Sequence, residues 1–161
     1  MVSVTNPENL FENNELNSSG HLLQVISFAV GNDIFGVDIR TVHQVIRSAQ
    51  FTPVPNSPDF IVGVMNLRGN IFPVIDLRKK LHLSSGENHT DTLWIIIIEV
   101  QNSMTGFIVD KVLKAHKVHP DSVEKKPEIF EDKLDDKYIC SIAHINEKRI
   151  PLLDFNQIVL G

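Results

Sequence analysis

Two histidines that lie close together, His116 and His119, are the first candidates for metal chemistry. A spacing of three residues puts them on opposite faces of an extended strand, and Pro120 follows directly. No cysteine or glutamate stands at a spacing that would complete a zinc-type ligand set. The sequence therefore favours solvated or capping histidines, and it predicts no metal and no cofactor.

A single cysteine, Cys140, is the only thiol that could act as a nucleophile. It stands in the apolar segment Tyr-Ile-Cys-Ser-Ile, which predicts a buried and unreactive side chain. The chain has no Gly-x-Ser-x-Gly elbow and no glycine-rich phosphate or dinucleotide loop. Since one cysteine cannot form an internal disulfide, a reducing compartment is the simplest expectation.

Four aspartates recur in one setting, after an apolar segment and before a possible helix or turn: Asp38, Asp76, Asp110 and Asp154. Paired carboxylates could serve as a general acid and a general base. Capping of the following backbone N–H groups, however, explains all four by one rule. We therefore expect no catalytic residues and no enzyme activity.

The composition is that of a globular protein, with 42% hydrophobic and 22% charged residues in 161. A net charge of −5 without a basic stripe argues against nucleic acid or an anionic membrane as the partner. The longest apolar run, residues 93–98, is too short to cross a bilayer, and no secretory signal begins the chain. These features predict a cytoplasmic protein without direct membrane insertion. Residues 1–20 are expected to form a flexible polar leader, followed by one domain over residues 21–161.

The rest of the chain is organised around residues 63–77, which predict a hairpin of strands 63–67 and 71–75. Gly69 and Asn70 in the connection Arg68-Gly69-Asn70 can adopt positive φ. Pro73 predicts an edge strand, or a strand whose missing N–H faces away from a partner. Both faces of both strands are largely apolar, so we expect each face to be covered.

Short strands and turns fill the remainder of the domain. Strands are predicted at residues 22–30, 34–37, 39–46, 93–100, 104–109, 112–118, 138–145 and 149–153, with helices at 77–81 and 155–160. Residues 84–91 are the expected seam between two halves, and residues 121–136 an exposed loop.

The two halves resemble each other in sequence. Phe35–Asp38 parallels Phe107–Asp110, and residues 71–77 parallel residues 149–155. Such self-similarity indicates one unit used twice. A unit of about 70 residues buries little core alone. We therefore predict an all-β protein of two small β-barrels packed together, with short helices including one at the C-terminus and a groove where the barrels meet.

Arg68 and Asn66 are polar residues displayed within this apolar hairpin. A lone arginine on a turn is by default solvated, but an arginine amid apolar surface is typical of an interface anchor. Asn66 can bond either the loop backbone or a partner, and the sequence leaves both interpretations open.

Residues 58–77, PDFIVGVMNLRGNIFPVIDL, resemble the central motif of the CheW-like family of bacterial chemotaxis coupling proteins. Weaker matches follow in the family's order at Phe35-Gly36-Val37-Asp38-Ile39, Gly106–Val112 and Ile150–Asp154, so that the resemblance covers residues 22–160. It implies two five-stranded SH3-like barrels. It also implies a non-enzymatic adaptor that links the cytoplasmic tips of methyl-accepting chemoreceptors to the regulatory domain of the histidine kinase CheA in membrane-associated arrays.

The resemblance also implies positions for the two contacts. The receptor coiled coil is expected in the groove between the barrels, at positions that match Val42, Gly63, Asn66, Arg68 and Leu93. The kinase is expected at barrel ends, near residues 39–47 and 138–142, with Ile39, Arg47, Tyr138 and Ile142 as its candidate contacts.

Other functions remain open from the sequence. An adaptor of a related chemosensory pathway, such as pilus-driven surface motility, would show the same motifs. A small-ligand-binding barrel or enzyme with a pocket between the barrels is a second alternative. A nucleic-acid-binding barrel is a third, although one Trp and one Tyr provide few stacking platforms.

Overall fold

The computed structural model of the protein describes residues 22–48, 50–83, 93–125 and 136–160. The expected leader and the expected seam at residues 84–91 lie outside these ranges. The strands within them are β1 Leu23–Val30, β2 Asp33–Asp38, β3 Val42–Ser48, β4 Ile61–Leu67, β5 Asn70–Asp76, β6 Leu93–Val100, β7 Ser103–Val109, β8 Lys111–Val118, β9 Val123–Lys125, β10 Ile139–Ile145 and β11 Lys148–Leu153. Two short helices, α1 Leu77–Lys80 and α2 Phe155–Leu160, follow β5 and β11.

The described strands form two sheets. One has six strands in the order β8-β1-β2-β11-β10-β9, and the other has five in the order β3-β6-β7-β5-β4. Neighbouring strands are antiparallel except for two parallel pairs, β2 with β11 and β5 with β7. This architecture confirms the all-β prediction, including the short helix at the C-terminus.

Each sheet combines strands from both halves of the sequence. Strands β1 and β2 pair with β8 and β11, whereas β3 pairs with β6 across the predicted seam. The prediction that each barrel is one consecutive half of the chain is therefore wrong in this respect. The halves exchange strands, which makes neither sheet complete without the other half.

The structure also corrects the register of the internal repeat. Gly36 pairs with Leu152 as Gly106 pairs with Val74, so the two glycines correspond. Each glycine lies under apolar side chains that would crowd a Cβ atom, which would stand 2.7 Å from the nearest side-chain carbon at Gly36 and 3.0 Å at Gly106. The alignment of Phe35–Asp38 with Phe107–Asp110 is therefore shifted by two positions.

The second part of the repeat, residues 71–77 with 149–155, has the predicted register. The backbone N–H of Asp76 donates to Phe60 O at 2.7 Å, and that of Asp154 donates to Tyr138 O at 2.8 Å. Each aspartate then caps the short helix that follows it. Asp76 therefore corresponds to Asp154.

Strand β6 shows why part of the sequence is apolar on both faces. Trp94, Ile96 and Ile98 join the large cluster between the two sheets, while Ile95 and Ile97 fill the interior of the five-stranded sheet. All five are less than a tenth exposed. A strand buried on both sides loses the apolar–polar alternation of a half-exposed strand. The sequence predicted such cover for both faces of the β4–β5 hairpin, and this is wrong for β5, where Ile71 is 69% exposed and Pro73 is also exposed.

Pro73 is accommodated without an edge position. Strand β5 lies between β4 and β7, but its pairing with β7 begins only at Val74. Pro73 therefore precedes that ladder, in agreement with the second alternative offered by the sequence.

The capping interpretation holds for three of the four aspartates. Asp38, Asp76 and Asp154 each accept a backbone N–H two residues further on, at 3.0, 3.0 and 3.1 Å. For Asp110 it is wrong, because β8 begins directly at Lys111 and no helix follows.

Asp110 instead ties the two sheets together where the chain crosses from β7 to β8. Its carboxylate accepts the backbone N–H of Gly31 at 2.8 Å and forms an ion pair with Arg78 of α1. The Arg78 side chain is only 10% exposed. We call this arrangement the closed junction.

The remaining chemistry-bearing residues have local roles. The ring of His119 accepts the N–H of Asp121 at 3.3 Å, as expected for a cap, whereas His116 lies half-buried with Nε2 3.0 Å from Ser27 Oγ. Cys140 is exposed and not buried as predicted, because a bulge interrupts β10 between Ile139 and Ser141. Partial burial of its thiol nevertheless raises the pKa of Cys140, which lowers its nucleophilicity.

The first residues of the predicted loop 121–136 form regular structure, and residues 126–135 lie outside the described ranges. Pro120–Ser122 form a 3-10 turn, and β9 then pairs with β10. Among the described residues, no helix has the length and apolar character needed to span a membrane.

Candidate interaction surface

The β4–β5 hairpin presents Arg68 at its tip. Leu67 pairs with Asn70, so that Arg68 and Gly69 alone form the turn, with φ of 55° and 88°. Two consecutive positive φ angles are the geometry of the tight turn that matches the twist of a hairpin. The positive φ predicted for Asn70 therefore falls on Arg68 instead, and the arginine side chain is exposed.

Asn66 supports this turn. Its side-chain Oδ1 accepts the backbone N–H of Gly69 at 3.0 Å. Of the two interpretations that the sequence left open, the bond to the loop backbone is thus present. The rest of the Asn66 side chain is exposed.

An exposed isoleucine lies beside these residues. Ile71 is 69% exposed and stands opposite Asn66 in the β4–β5 ladder. Pro73, also exposed, continues the same face of β5. The hairpin therefore combines a cation with apolar surface, the composition expected of a protein contact. The sequence analysis did not select Ile71, although its alternation with the buried Phe72 was a usable signal.

Gly63 has a structural explanation. A Cβ atom at this position would stand 2.3 Å from the carbonyl oxygen of Thr52. This close approach allows Thr52 and Val64 to exchange two backbone hydrogen bonds of 2.8 Å each, which joins the chain after β3 to β4. Gly63 thus shapes the hairpin and is itself buried.

The other two receptor candidates lie at opposite ends of the β3–β6 pair. Val42 pairs with Ile98 and Leu93 with Ser48. The two ends are five positions apart along β6, a distance of about 17 Å. Leu93 packs against the same cluster as the hairpin, whereas Val42 belongs to the cluster between the sheets. Gly63, Asn66 and Arg68 thus share the β4–β5 hairpin, whereas Val42 packs into a different cluster.

The kinase candidates are of two kinds. Arg47 is exposed, and its guanidinium lies 4.7 Å from the ring centroid of Trp94 on the neighbouring strand. Ile39, Tyr138 and Ile142 are 8%, 7% and 0% exposed. These three side chains can support a surface, but only Arg47 presents one to a partner.

A cleft of about 310 Å³ opens where the two sheets meet, which is where the sequence predicted a groove. The end of β6 forms one wall, and β2, β10, β11 and α2 form the other. Its apolar floor includes Val37, Ile98, Val100, Leu153 and Phe155, and its polar lining includes Asp38, Thr41, Glu99, Ser141, Asp154 and Asn156. Val42 adjoins this cleft through its strand partner Ile98. We call it the intersheet cleft.

Comparison with known proteins places the chain in a family. The model of the CheW-like domain matches residues 24–160. A chemotaxis protein CheW of Bacillus subtilis is 33% identical over 84% of this chain and 86% of its own length. A chemotaxis protein CheW of Helicobacter pylori is 27% identical over 94% of both chains.

A solved structure has the same fold. The crystal structure of the scaffolding protein TtCheW from Thermoanaerobacter tengcongensis superposes with a TM-score of 0.79 at 30% identity, over 86% of this chain and 92% of that one. That protein has two SH3-like subdomains, in agreement with the two-barrel prediction.

Proposed function

Because the chain belongs to the CheW-like domain family, we propose that it couples chemoreceptors to the histidine kinase CheA. Its relatives are named as chemotaxis proteins and its structural neighbour as a scaffolding protein, which together support a chemotaxis adaptor. The observation that carries the more specific proposal is the exposed Arg68 on a two-residue turn, with the exposed Ile71 on the strand that follows.

The receptor contact is the first half of the proposal. A helical hairpin that docks by an apolar stripe needs apolar surface for affinity and polar groups to fix its register. Ile71 and Arg68 supply the two on one hairpin, and Gly63 and Asn66 hold that hairpin in shape. Val42 and Leu93 complete the proposed receptor set at the two ends of the β3–β6 pair.

The kinase contact is the second half. Arg47 stacked on Trp94 is an exposed cation with an aromatic base, a combination enriched at interface anchors. Ile39, Tyr138 and Ile142 would act below the surface, by fixing the backbone that the kinase domain contacts.

The proposed adaptor performs no bond chemistry. Its conspicuous carboxylates cap short helices or hold the closed junction, and the Cys140 thiol has a raised pKa. Weak contacts repeated across an array would add as avidity. Signalling would follow if a bound receptor favoured one of two kinase states through differential contacts.

The experiment replaces Arg68 by Asn, a residue that tolerates positive φ. The variant, a receptor cytoplasmic fragment and the kinase from the same organism are mixed and sedimented. We expect the variant to fold normally and to recruit about tenfold less receptor, as for loss of one interface anchor.

The matched control is Gln101→Asn. Gln101 opens the β6–β7 turn with φ 51°, as Arg68 opens the β4–β5 turn. The same introduced residue in the same turn geometry should leave recruitment unchanged. Normal receptor recruitment by a folded Arg68→Asn protein would contradict the proposal.

A further inference from the structure

The intersheet cleft is lined by more acidic than basic groups. Asp38, Glu99 and Asp154 stand around an apolar floor. The cation nearest in sequence, Arg40, pairs with Asp38 from outside and is 77% exposed. An apolar floor with an excess of carboxylates at the rim fits a long side chain that ends in a positive charge.

The internal repeat shows which side chain occupies the corresponding space at the closed junction. Asn156, which lines the cleft, is the second residue of α2 and corresponds to Arg78, the second residue of α1. Arg78 lies buried in the closed junction on the carboxylate of Asp110. The shorter Asn156 is exposed and leaves the equivalent space open.

The repeat also shows that two carboxylates of the intersheet cleft, Asp38 and Glu99, have apolar counterparts at the closed junction. The correspondence of Gly36 with Gly106 makes Ile108 the counterpart of Asp38. In the same register, Ala29 is the counterpart of Glu99. The intersheet cleft therefore has an asparagine in place of the arginine of the closed junction and carries two carboxylates that the closed junction lacks. Arg40, which is exposed and paired with Asp38, stands in the register of Asp110.

We propose that the intersheet cleft is a binding pocket for an arginine side chain of the receptor tip. The inference rests on the proposed function for the identity of the partner. It names the receptor because the cleft opens between the two sheets and adjoins Val42. The arginine stem lies on the apolar floor, and its guanidinium bonds the carboxylate of Glu99, since that of Asp38 is already paired with Arg40.

The first test fills the pocket from within. Asn156→Arg places an arginine at the position that corresponds to Arg78 of the closed junction. Gln157→Arg adds the same charge at the next, exposed position of α2. We expect Asn156→Arg to raise the melting temperature by a few degrees, on the scale of about 1 kcal/mol, and Gln157→Arg to leave it unchanged. An unchanged or lower melting temperature for Asn156→Arg would contradict the proposal.

The second test uses a small probe. N-acetyl-arginine methylamide is titrated into the isotope-labelled protein, with the isosteric and neutral citrulline amide as its control. Saturable shifts are expected at the amides of Thr41, Glu99 and Asn156 with the arginine probe alone. Asn156→Arg should abolish them, and Glu99→Gln should weaken binding several-fold. Equal shifts with both probes, or none with either, would overturn the inference.

The receptor itself separates the two levels of the proposal. Failure of the unaltered protein to bind a receptor fragment would contradict the proposed function but leave the probe result standing. Normal receptor binding by both Asn156→Arg and Glu99→Gln would refute the receptor as the source of the arginine. An approximately tenfold loss for Asn156→Arg with none for Gln157→Arg is the expected result.

Discussion

The two places where a short helix follows a parallel strand pair are built on one plan but end differently. At the closed junction, Arg78 is buried and paired with Asp110. At the intersheet cleft, Asn156 is exposed and the space beside it is open. Duplication thus allows one copy to hold the sheets together, while the other is free to receive something from outside.

The closed junction makes contacts that join several elements of the fold. Asp110 receives the Gly31 N–H from the β1–β2 turn and the guanidinium of Arg78 from α1, so it joins elements of both sheets. In the described part of the chain, the Nε of Arg78 is buried without a hydrogen-bond partner. The Asp110 carboxylate is therefore the main compensation for a costly buried charge.

Breaking the closed junction should have the largest effect. Asp110→Asn keeps an acceptor for Gly31 but leaves the Arg78 charge without its carboxylate. We expect a loss of about 2–3 kcal/mol in the free energy of unfolding, below the full value for a buried pair because Asp110 is 29% exposed. Urea denaturation measures this loss.

A double variant distinguishes pairing from packing. Arg78→Met combined with Asp110→Asn removes the buried charge and retains apolar volume, so most of the loss should be recovered. Equal stability of Asp110→Asn and the unaltered protein would show that the ion pair does not hold the junction.

The corresponding bulges in β4 and β10 differ in one residue. Gly63 pairs with Val74 as Ser141 pairs with Leu152, so one bulge has a glycine where the other carries a side chain. Gly63→Ala must displace the Thr52 carbonyl, which lies 2.3 Å from the new Cβ, and should cost about 2 kcal/mol. Ser141→Ala should change stability by less than about 0.5 kcal/mol. Thermal unfolding compares the two, and a stable Gly63→Ala would remove the structural role assigned to Gly63.

The interiors of the two barrels differ in polarity. Ser27 and His116 on the paired strands β1 and β8 correspond to Ile97 and Ile46 on β6 and β3. Burial, reinforced by Lys114, lowers the pKa of His116 below its ordinary value of 6.5. The folded protein then binds fewer protons than the unfolded chain in the window below pH 6.5, so stability falls as the pH drops through it.

Giving the barrel of the six-stranded sheet the apolar interior of the five-stranded one should remove this acid sensitivity. The double variant Ser27→Ile and His116→Ile replaces a bonded polar pair by the apolar pair of the other barrel. We expect stability at pH 7.5 to be nearly unchanged, and its decrease between pH 6.5 and pH 5 to be reduced. Denaturation curves at both pH values decide, and an unaltered pH dependence would exclude His116 as the source.

Local chemistry explains what the sequence could predict. Turn residues such as Arg68-Gly69 and the apolar run of β6 depend on neighbours in the chain, so the hairpins were found. Capping by Asp76 and Asp154 is equally local. The exposure of Arg68 followed from its place on a turn.

Contacts between distant segments explain what it could not. The ion pair of Asp110 with Arg78 and the parallel pairing of β11 with β2 join residues far apart in the chain. The bulge that exposes Cys140 arises from pairing of β10 with β11 and has no local signature. The resemblance selected Ile142 by position, but only the fold shows its side chain to be fully buried.

The smallest expected effect on stability lies on the outer faces of β3 and β8. Arg47 stands opposite Trp94, and its counterpart Lys117 stands opposite Gln24. Loss of the cation–π contact in Arg47→Gln should cost about 0.5 kcal/mol, whereas Lys117→Gln should cost almost nothing. Chemical denaturation can resolve the difference when both variants are measured in parallel.

The same pair of variants sharpens the kinase proposal, because each removes one exposed cation from the corresponding position of a strand. If the kinase domain contacts the surface around Arg47, Arg47→Gln should weaken its binding several-fold while Lys117→Gln leaves it intact. Titration calorimetry with the kinase regulatory domain measures both. Equal weakening by the two variants would mean that net charge attracts the kinase, and no weakening by either would move the contact away from β3. Only a selective effect of Arg47 identifies the arginine stacked on Trp94 as the anchor, since charge is matched and aromatic support is present on one strand alone.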